Sequence, residues 1–263
     1  MNNALYVAKT GLEAQQFRLA AISNNLANAN TYGYKTGRAE FNDLIYQNVR
    51  QPGAQATQDE ANTLPSGLQL GTGVKAIGVQ KIHTQGNLMV TDNQLDIAVE
   101  GKGFFQALDQ DGNLMYTRDG SFEVNQNGDI VTSSGYLLEP NINIPQDATD
   151  ISITSDGAVY VSQPGNTQQV QVGQIELATF INPAGLESLG KNFYGETTAS
   201  GAPNINNPGT AEAGSVLQGA LEASNVNTVE ELIGMIEAQR TYEMNSKAIS
   251  AANGMMQYLN NNT

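Results

Sequence analysis

The chain has 263 residues, of which 40% are hydrophobic and 14% are charged, and its formal net charge is −14. A surface this acidic repels phosphate groups, which argues against nucleic acid as a partner. The absence of cysteine excludes a disulfide framework, a thiol nucleophile and a thiolate metal site. No stretch is apolar for long enough to cross a bilayer, so we expect a protein that is not membrane-embedded.

The first predicted element is a helix over residues 3–28. Leucine recurs every seven residues, at Leu5, Leu12, Leu19 and Leu26, which places these side chains on one stripe with coiled-coil spacing. An asparagine-rich run then ends the helix, because Asn and Gly tolerate turn and left-handed conformations. A single helix cannot bury such a stripe against itself, so we expect this helix to have helical partners.

Residues 34–73 form a segment of low periodicity. Its prolines and glycines, which include Pro52, Pro65, Gly67 and Gly73, are interspersed with many Gln and Thr residues. This composition predicts extended pieces together with an exposed loop or a long hairpin.

Residues 74–224 are predicted to form an all-β domain. Asp-Gly, Asn-Gly and Ser-Gly pairs recur at near-regular spacing, and such pairs favour the tight primed turns of β-hairpins. The turn pairs begin at Asp111, Asp119, Asn127, Ser134 and Asp156. Short β-prone pieces lie at residues 114–117, 122–124, 130–132 and 136–138, and residues 170–181 alternate strongly. The pattern predicts an antiparallel meander, sandwich or small barrel.

The last predicted element is a helix from Thr228 to about Leu259. Thr228 and Glu231 have the spacing of a capping box, and acidic residues in a first turn suit the helix dipole. A second heptad stripe follows, at Met235, Tyr242, Ile249 and Met256.

Together these elements predict an α plus β fold. The terminal helices, in residues 1–33 and 225–263, are expected to pair as a coiled-coil-like module. The extended connector of residues 34–73 and an antiparallel outer β domain of residues 74–224 are then inserted between them. Two helices alone make a poor core, which favours bundling with the helices of other chains.

The candidate chemical motifs do not predict an enzyme. His83, the single histidine, lacks a triad pattern or further metal ligands and is interpreted as a surface or strand residue. Residues 109–113 begin like a calcium loop, but Leu114 and Gly120 stand where an EF-hand needs Gly and Glu. Residues 101–103 (GKG) lack the third glycine of a phosphate-binding loop and are interpreted as a site of tight backbone packing. We therefore expect no catalytic residue, no cofactor and no metal.

Several motifs resemble those of the bacterial flagellar rod and hook proteins. Residues 23–35 (SNNLANANTYGYK) resemble the N-terminal signature of that family. Residues 224–227 (SNVN) and 239–247 (QRTYEMNSK) resemble its C-terminal signature. Residues 95–105 (LDIAVEGKGFF) and 116–122 (YTRDGSF) resemble its shared β-domain motifs, so the resemblance covers nearly the whole chain.

Residues 50–73 further resemble a segment characteristic of the members that form the distal rod. The resemblance implies a structural subunit that self-assembles into a rigid hollow helical tube, transmits torque across the periplasm and passes exported subunits through its channel. The implied partners are other copies of the chain, proximal rod proteins, the hook protein, the L- and P-ring proteins and the flagellar type III export apparatus. Export is expected to proceed without a cleaved signal peptide.

The stripes and the motifs give three sets of predicted site residues. The helical assembly interface is predicted to comprise Leu5, Leu12, Leu19, Ile22, Leu26, Leu232, Met235, Ile236, Tyr242, Ile249 and Met256. The family signature is carried by Asn25, Leu26, Asn28, Thr31, Gly33, Tyr34, Lys35, Asn225, Val226, Gln239, Arg240 and Tyr242. The segment expected to brace neighbouring subunits is marked by Arg50, Pro52, Pro65, Gly67 and Gly73.

Three alternatives remain open. A proximal rod or hook subunit would share the chain ends and differ in residues 50–73. A periplasmic peptidoglycan-cleaving enzyme would need two carboxylates opposed across a cleft with separated pKa values. A β-rich adhesin would expose binding residues at its loop tips and lack the paired terminal stripes.

Overall fold

Two helices lie at the ends of the described chain, close to the predicted positions. The computed structural model describes residues 3–51, 66–164, 168–210 and 212–261, and in it α1 spans Asn3–Ala27 and α2 spans Thr228–Asn261. A turn at residues 28–30 follows α1. Glu230 and Glu231 lie in the first turn of α2, where the helix dipole stabilises negative charge.

Short strands make up most of the regular structure between the helices. The strands are β1 (Gly37–Asp43), β2 (Gln47–Arg50), β3 (Leu68–Leu70), β4 (Val74–Lys81), β5 (Leu88–Val90), β6 (Ile97–Glu100), β7 (Phe105–Leu108), β8 (Leu114–Thr117), β9 (Phe122–Val124), β10 (Ile130–Thr132), β11 (Leu137–Glu139), β12 (Asp150–Ile153), β13 (Ala158–Ser162), β14 (Val170–Gln174), β15 (Leu177–Thr179), β16 (Glu187–Gly190), β17 (Phe193–Gly195), β18 (Asn204–Asn206), β19 (Ser215–Gln218) and β20 (Ala220–Glu222). A 3₁₀ turn spans Pro183–Gly185. The strand pairs of known register are antiparallel, so the α plus β class is confirmed.

The chain divides into two compact units, and each is built from separate pieces of sequence. Unit 1 comprises Met1–Leu26, Gly37–Gln80 and Thr228–Thr263. Unit 2 comprises Ala27–Thr36 and Lys81–Asn227. Each unit therefore combines residues from early and late parts of the chain.

Unit 1 contains both helices and two short strand ladders. β1 is a hydrogen-bonded neighbour of β4, and β2 pairs antiparallel with β3. The β2–β3 register shifts between Asn48 and Arg50, and the residues of both strands are exposed. The ladder of β2 and β3 thus has no core of its own among the described residues.

Unit 2 is built on a seven-stranded sheet in the order β16-β17-β8-β7-β11-β10-β9. A three-stranded sheet, β12-β13-β14, and the pairs β15-β18, β19-β6 and β20-β5 complete it. Its main hydrophobic core contains Ile97, Val99, Phe105, Phe122, Ile130, Leu138, Ile142, Ile144, Ile153, Val159, Val161, Ile175, Leu177, Ala213 and Val216. Burial of these side chains supplies the driving force for folding within a single chain.

Most of the predicted turn pairs connect neighbouring strands. Gly112, Gly128, Gly135 and Gly157 have positive φ and lie between β7 and β8, β9 and β10, β10 and β11, and β12 and β13. Each of these strand couples is antiparallel. The predicted primed turn type was wrong, because the residue before each of these glycines does not have positive φ. Each glycine N–H instead donates to the carbonyl three residues earlier, as in three-residue hairpin loops with glycine in the left-handed region.

Two strand predictions were wrong. Asp119-Gly120 does not close a hairpin, because the flanking strands β8 and β9 are not neighbours in their sheet. A glycine is needed there for another reason: a Cβ on Gly120 would overlap the carbonyl oxygen of Ile97. The alternating residues 170–181 form two strands rather than one, since β14 and β15 belong to different sheets.

Candidate assembly interface

The helices α1 and α2 contact each other in unit 1 with opposite directions. Asn25, near the end of α1, donates from Nδ2 to Glu231 Oε1 at 2.8 Å. One to two turns earlier on α1, Arg18 Nη2 lies 3.6 Å from Glu237 Oε2, which is further along α2. As the residue number falls along α1, the number of the contacting residue on α2 rises, so the two helices are antiparallel.

The predicted heptad stripes are only partly covered within one chain. Ile22 is buried, with 7% of its surface exposed, and faces Gly234 across the helix pair. The half-buried members are Leu5, Leu12, Leu19, Leu26, Met235, Tyr242 and Ile249. The exposed members are Leu232, Ile236 and Met256. Their role in assembly stays a prediction.

An apolar stripe on the first half of α2 is left uncovered. Val229, Leu232, Ile233 and Ile236 are 64%, 47%, 54% and 51% exposed. Their spacing of three, four and seven residues places them on one helix face, which we call the α2 stripe. Exposed apolar groups of this kind mark interaction sites. The sequence analysis missed Val229 and Ile233, because it followed the heptad register instead of the 3.6-residue period.

The α2 stripe faces away from α1. At 100° per residue its four members cluster around one direction, whereas Glu231, Gly234 and Ala238 lie on roughly the opposite side. Glu231 and Gly234 contact α1, and Ala238 is fully buried. One face of α2 is therefore occupied within the chain and the other is open.

The predicted bracing segment is described at its two ends. Pro52 and Pro65 lie outside the described residues. Arg50 ends β2, Gly67 precedes β3, and Gly73, with φ of +123°, packs against α1. The connection around this ladder exposes several large apolar side chains, namely Ile45, Tyr46, Val49, Leu68 and Leu70.

Signature residue Asn25 fastens the start of β1 to α1. Its Oδ1 accepts a hydrogen bond from the Gly37 N–H at 2.8 Å, and its Nδ2 donates to the Gly37 carbonyl at 2.9 Å. The side chain is 2% exposed. Because the buried Asn25 amide bonds to both the N–H and the carbonyl group of Gly37, it fixes the path of the chain in unit 1.

Signature residue Asn225 makes a corresponding clamp in unit 2. Its Oδ1 accepts from the Thr36 N–H at 2.7 Å, while its Nδ2 donates to the carbonyls of Ile82 at 2.8 Å and Thr84 at 3.1 Å. Val226, the next signature residue, is half-buried. The clamp joins three segments that are distant in sequence.

The signature residues after α1 shape a turn. The Thr31 N–H donates to the Asn28 carbonyl at 3.2 Å. Gly33 has φ of +68°, and a Cβ there would lie 2.6 Å from the backbone nitrogen of Asp119. The buried Tyr34 ring has the Lys81 ammonium 4.2 Å from its centroid. Gly33 therefore has no room for a side chain, and the Tyr34 ring provides a face for the Lys81 ammonium.

Lys35 belongs to a buried ion cluster that the sequence analysis did not find. The Lys35 ammonium donates to Glu222 Oε1 and, at 2.8 Å, to the Thr84 carbonyl. Arg118 Nη1 lies 3.3 Å from Glu222 Oε2, and Arg118 Nη2 donates to the Gly101 carbonyl at 2.6 Å. Lys35, Glu222 and Arg118 are 0%, 1% and 4% exposed.

Burial dominates the electrostatics of the ion cluster. It lowers the pKa of Lys35, with the Glu222 carboxylate acting in the opposite direction, and it lowers the pKa of Arg118. Burial also raises the pKa of the nearby Tyr194 to about 12. Charges this deeply buried are tolerated only when paired and hydrogen-bonded, so Glu222 is the residue on which both cations depend.

The prediction for His83 was wrong. Its ring packs edge-to-face against both Phe104 and Tyr194, with centroid distances of 5.6 and 5.4 Å, and these two rings also contact each other at 6.0 Å. Both ring nitrogens are buried and have no hydrogen-bond partner within the described chain. Phe104 and Tyr194 belong to a buried cluster with Tyr116, Ala178 and Leu186.

The remaining signature residues lie on α2. Gln239 and Arg240 are exposed, and the Tyr242 hydroxyl accepts from Gln16 at 3.4 Å.

Among the described residues there is no group of three or more His, Cys, Asp or Glu side chains that could hold a metal ion. Within those same ranges no helix has the length and hydropathy needed to span a membrane.

Unit 2 has a buried β core, and the terminal helices of unit 1 have apolar side chains exposed to solvent. These are features of a structural subunit. Models of three flagellar protein families match the chain. A flagella basal body rod protein model matches residues 5–35, a flagellar hook protein FlgE/F/G D1 domain model matches residues 98–161, and a flagellar basal body rod FlgEFG C-terminal model matches residues 217–262.

Relatives match over nearly the full length. The flagellar basal-body rod protein FlgG of Buchnera aphidicola subsp. Acyrthosiphon pisum is 52% identical over 97% of this chain and 98% of its own. The FlgG proteins of Caulobacter vibrioides and Bacillus subtilis are 49% and 38% identical, over 97% and 99% of both chains.

The chain belongs to the flagellar basal-body rod protein family. It is a structural subunit of the rod, not an enzyme, and it is located in the flagellar basal body.

Proposed function

We propose that this subunit builds the distal part of the rod as a rigid hollow helical tube, in which copies of the chain cover one another's terminal helices. The observation that carries this proposal is the α2 stripe, which faces away from the partner helix of its own chain. A subunit that must be covered on several faces, through contacts that do not close into a ring, generates an open-ended helix.

The four segments of the chain then have separate tasks. The helices in residues 1–33 and 225–263 pair as a coiled-coil-like module that lines the channel, with the heptad stripes at their seam. Residues 34–73 form the extended connector, and residues 74–224 form the outer β domain. The half-burial of Leu12, Leu19 and Ile249 within one chain supports this arrangement, because such side chains still have surface to contribute to a neighbour.

The tube acts as a drive shaft across the periplasm, and its channel passes exported subunits. Its neighbours along the axis are the proximal rod proteins and the hook protein, and its surroundings are the L- and P-ring proteins. Subunits reach it through the flagellar type III export apparatus without a cleaved signal peptide. Stiffness follows from many simultaneous contacts, since bending would have to break several of them together.

The connector contributes to that stiffness by bracing adjacent subunits. Its β2–β3 ladder exposes Val49, Leu68 and Leu70, and an isolated two-stranded ladder is marginally stable in water. A neighbouring copy supplies the missing cover. Deleting residues 52–65 is expected to leave export intact and to give a rod that bends in electron micrographs.

A charge placed on the α2 stripe tests the proposal directly. Ile236→Asp should leave the fold intact, because the side chain is 51% exposed, but should abolish rod formation by burying an unpaired charge between subunits. Ile181→Asp, at an 89% exposed position in unit 2, is the matched control and should assemble. Electron microscopy of purified basal bodies reads out both variants. Normal rods from Ile236→Asp would refute the proposed role of the stripe.

A further inference from the structure

His83, which is half-buried but has buried ring nitrogens, and the buried ion cluster form one group of titratable side chains that the assembly function does not use. Thr84, the residue after His83, accepts from the Lys35 ammonium and from Asn225. The Gly86 N–H donates to Glu222 Oε1 at 2.8 Å. The segment that carries His83 is therefore tied to residues 33–36 and 222–225, which overlap the N-terminal signature and the start of the C-terminal signature.

The charged groups facing His83 come from several elements. Lys35 follows α1, Lys81 ends β4 and Arg118 follows β8. Glu222 ends β20 and pairs with Lys35 and Arg118. The neighbouring hydroxyl groups belong to Tyr194 of β17 and to Tyr34, which lies next to Lys35. Three cations thus surround the imidazole, and the Glu222 carboxylate is already engaged by Lys35, Arg118 and the Gly86 N–H.

We propose that His83 and the ion cluster form an acid-sensitive clasp that holds the two chain-end signatures together in unit 2. A proton on His83 adds a positive charge to a site already acted on by Lys35, Lys81 and Arg118, with no acceptor for the imidazole N–H groups among the described residues. The clasp is stable while His83 is neutral and opens when it is protonated. Opening separates residues 33–36 and 222–225 from residues 82–86.

The direction of the pH effect follows from the environment of the imidazole. Burial, and then the charges of Lys35, Arg118 and Lys81, lower the pKa of His83 from 6.5 to about 4. Between these values the unfolded chain binds more protons than the folded chain, so stability falls as pH falls from about 6.5 towards 4. At pH 5 the unfolding equilibrium constant is expected to be about 20-fold larger than at pH 7 from this residue alone.

The single histidine makes the test specific. In the full-length chain, the His83 ring-proton resonance reports the pKa of the folded state and the ratio of folded to unfolded molecules. We expect a folded-state midpoint near 4 and a growing unfolded resonance between pH 6.5 and 4. A folded-state midpoint near 6.5 would overturn the proposal, whatever the behaviour of any variant.

His83→Phe provides the comparison, because a phenyl ring retains the aromatic packing and cannot be protonated. Urea unfolding at pH 7.5 and pH 5, followed by near-ultraviolet circular dichroism, should show a pH-induced loss for the wild type that exceeds the loss for the variant by a factor of about 30 in the equilibrium constant. Carboxylates contribute equally to both proteins. Equal pH dependence of the two would contradict the clasp.

Discussion

The two units of this protein differ in how far a single chain buries their apolar side chains. In unit 2 the core side chains Ile97, Val99 and Phe105 are 0% exposed, and the exposed large apolar side chains of this unit, which include Ile181 and Val90, do not belong to that core. In unit 1 the helices and the β2–β3 ladder leave apolar stripes open to solvent. The comparison teaches that a single chain completes the core of unit 2, whereas unit 1 leaves apolar surface exposed that, under the proposed function, other copies cover.

Charge follows the same division. Unit 1 has nine carboxylates and seven basic residues, whereas unit 2 has seventeen carboxylates and five basic residues. Two of the five, Lys35 and Arg118, are buried in the ion cluster. Like charges repel, so the nearly neutral composition of unit 1 opposes close packing of identical subunits less than the acidic composition of unit 2 does.

The largest expected effect comes from the residue on which both buried cations depend. Glu222→Gln removes the carboxylate from Lys35 and Arg118 and should destabilise unit 2 by about 3–5 kcal/mol, because breaking a buried ion pair leaves charge uncompensated. Urea unfolding measures the loss. Glu123→Gln, on the exposed part of β9, is the control and should change stability by less than about 0.5 kcal/mol. A loss below about 1 kcal/mol for Glu222→Gln would mean that unit 2 does not rely on the cluster.

A smaller effect is expected at the turn that precedes the cluster. Gly33→Ala should cost about 2–4 kcal/mol, since it combines strain at positive φ with a Cβ against the backbone of Asp119. Gly112→Ala has a similar φ of +82° but open space around its Cβ, and should cost about 1–2 kcal/mol. Thermal unfolding of the two variants separates the steric contribution from the strain. Equal costs would argue against close packing at Gly33.

The smallest effect is expected in unit 1. The Arg18–Glu237 pair is 3.6 Å apart, and its side chains are 41% and 64% exposed. Glu237→Gln should change stability by at most about 0.5 kcal/mol, because water screens exposed pairs. A loss above 1 kcal/mol in isolated subunits would show that polar contacts, rather than other copies, stabilise the helix pair.

Features with a local pattern could be predicted from the sequence. The helices follow from their heptads, and the hairpins at Gly112, Gly128 and Gly135 follow from glycine after Asp, Asn or Ser. Asp119-Gly120 has the same local pattern, but there the glycine serves a close approach to Ile97, which is distant in sequence. A dipeptide cannot distinguish the two uses.

The ion cluster had no local signal. Lys35 and Glu222 are 187 positions apart, and Arg118 and Glu222 are 104 apart. Lys35 was selected only as part of a signature motif, and Glu222 was one carboxylate among many. Their pairing depends on the meeting of distant segments in unit 2, which periodicity and composition do not encode. The same reason explains why the sequence predicts a surface or strand position for His83.

Solvent access to the α2 stripe in isolated and assembled subunits tests the central claim most directly. The chain has no cysteine, so Ile236→Cys and the control Ile181→Cys each introduce a single thiol for maleimide labelling. Both thiols should react in isolated subunits, and in purified basal bodies Ile181→Cys should still react while Ile236→Cys is protected. Equal labelling of Ile236→Cys in isolated subunits and in rods would contradict the account, because unit 1 would then remain uncovered in the assembly.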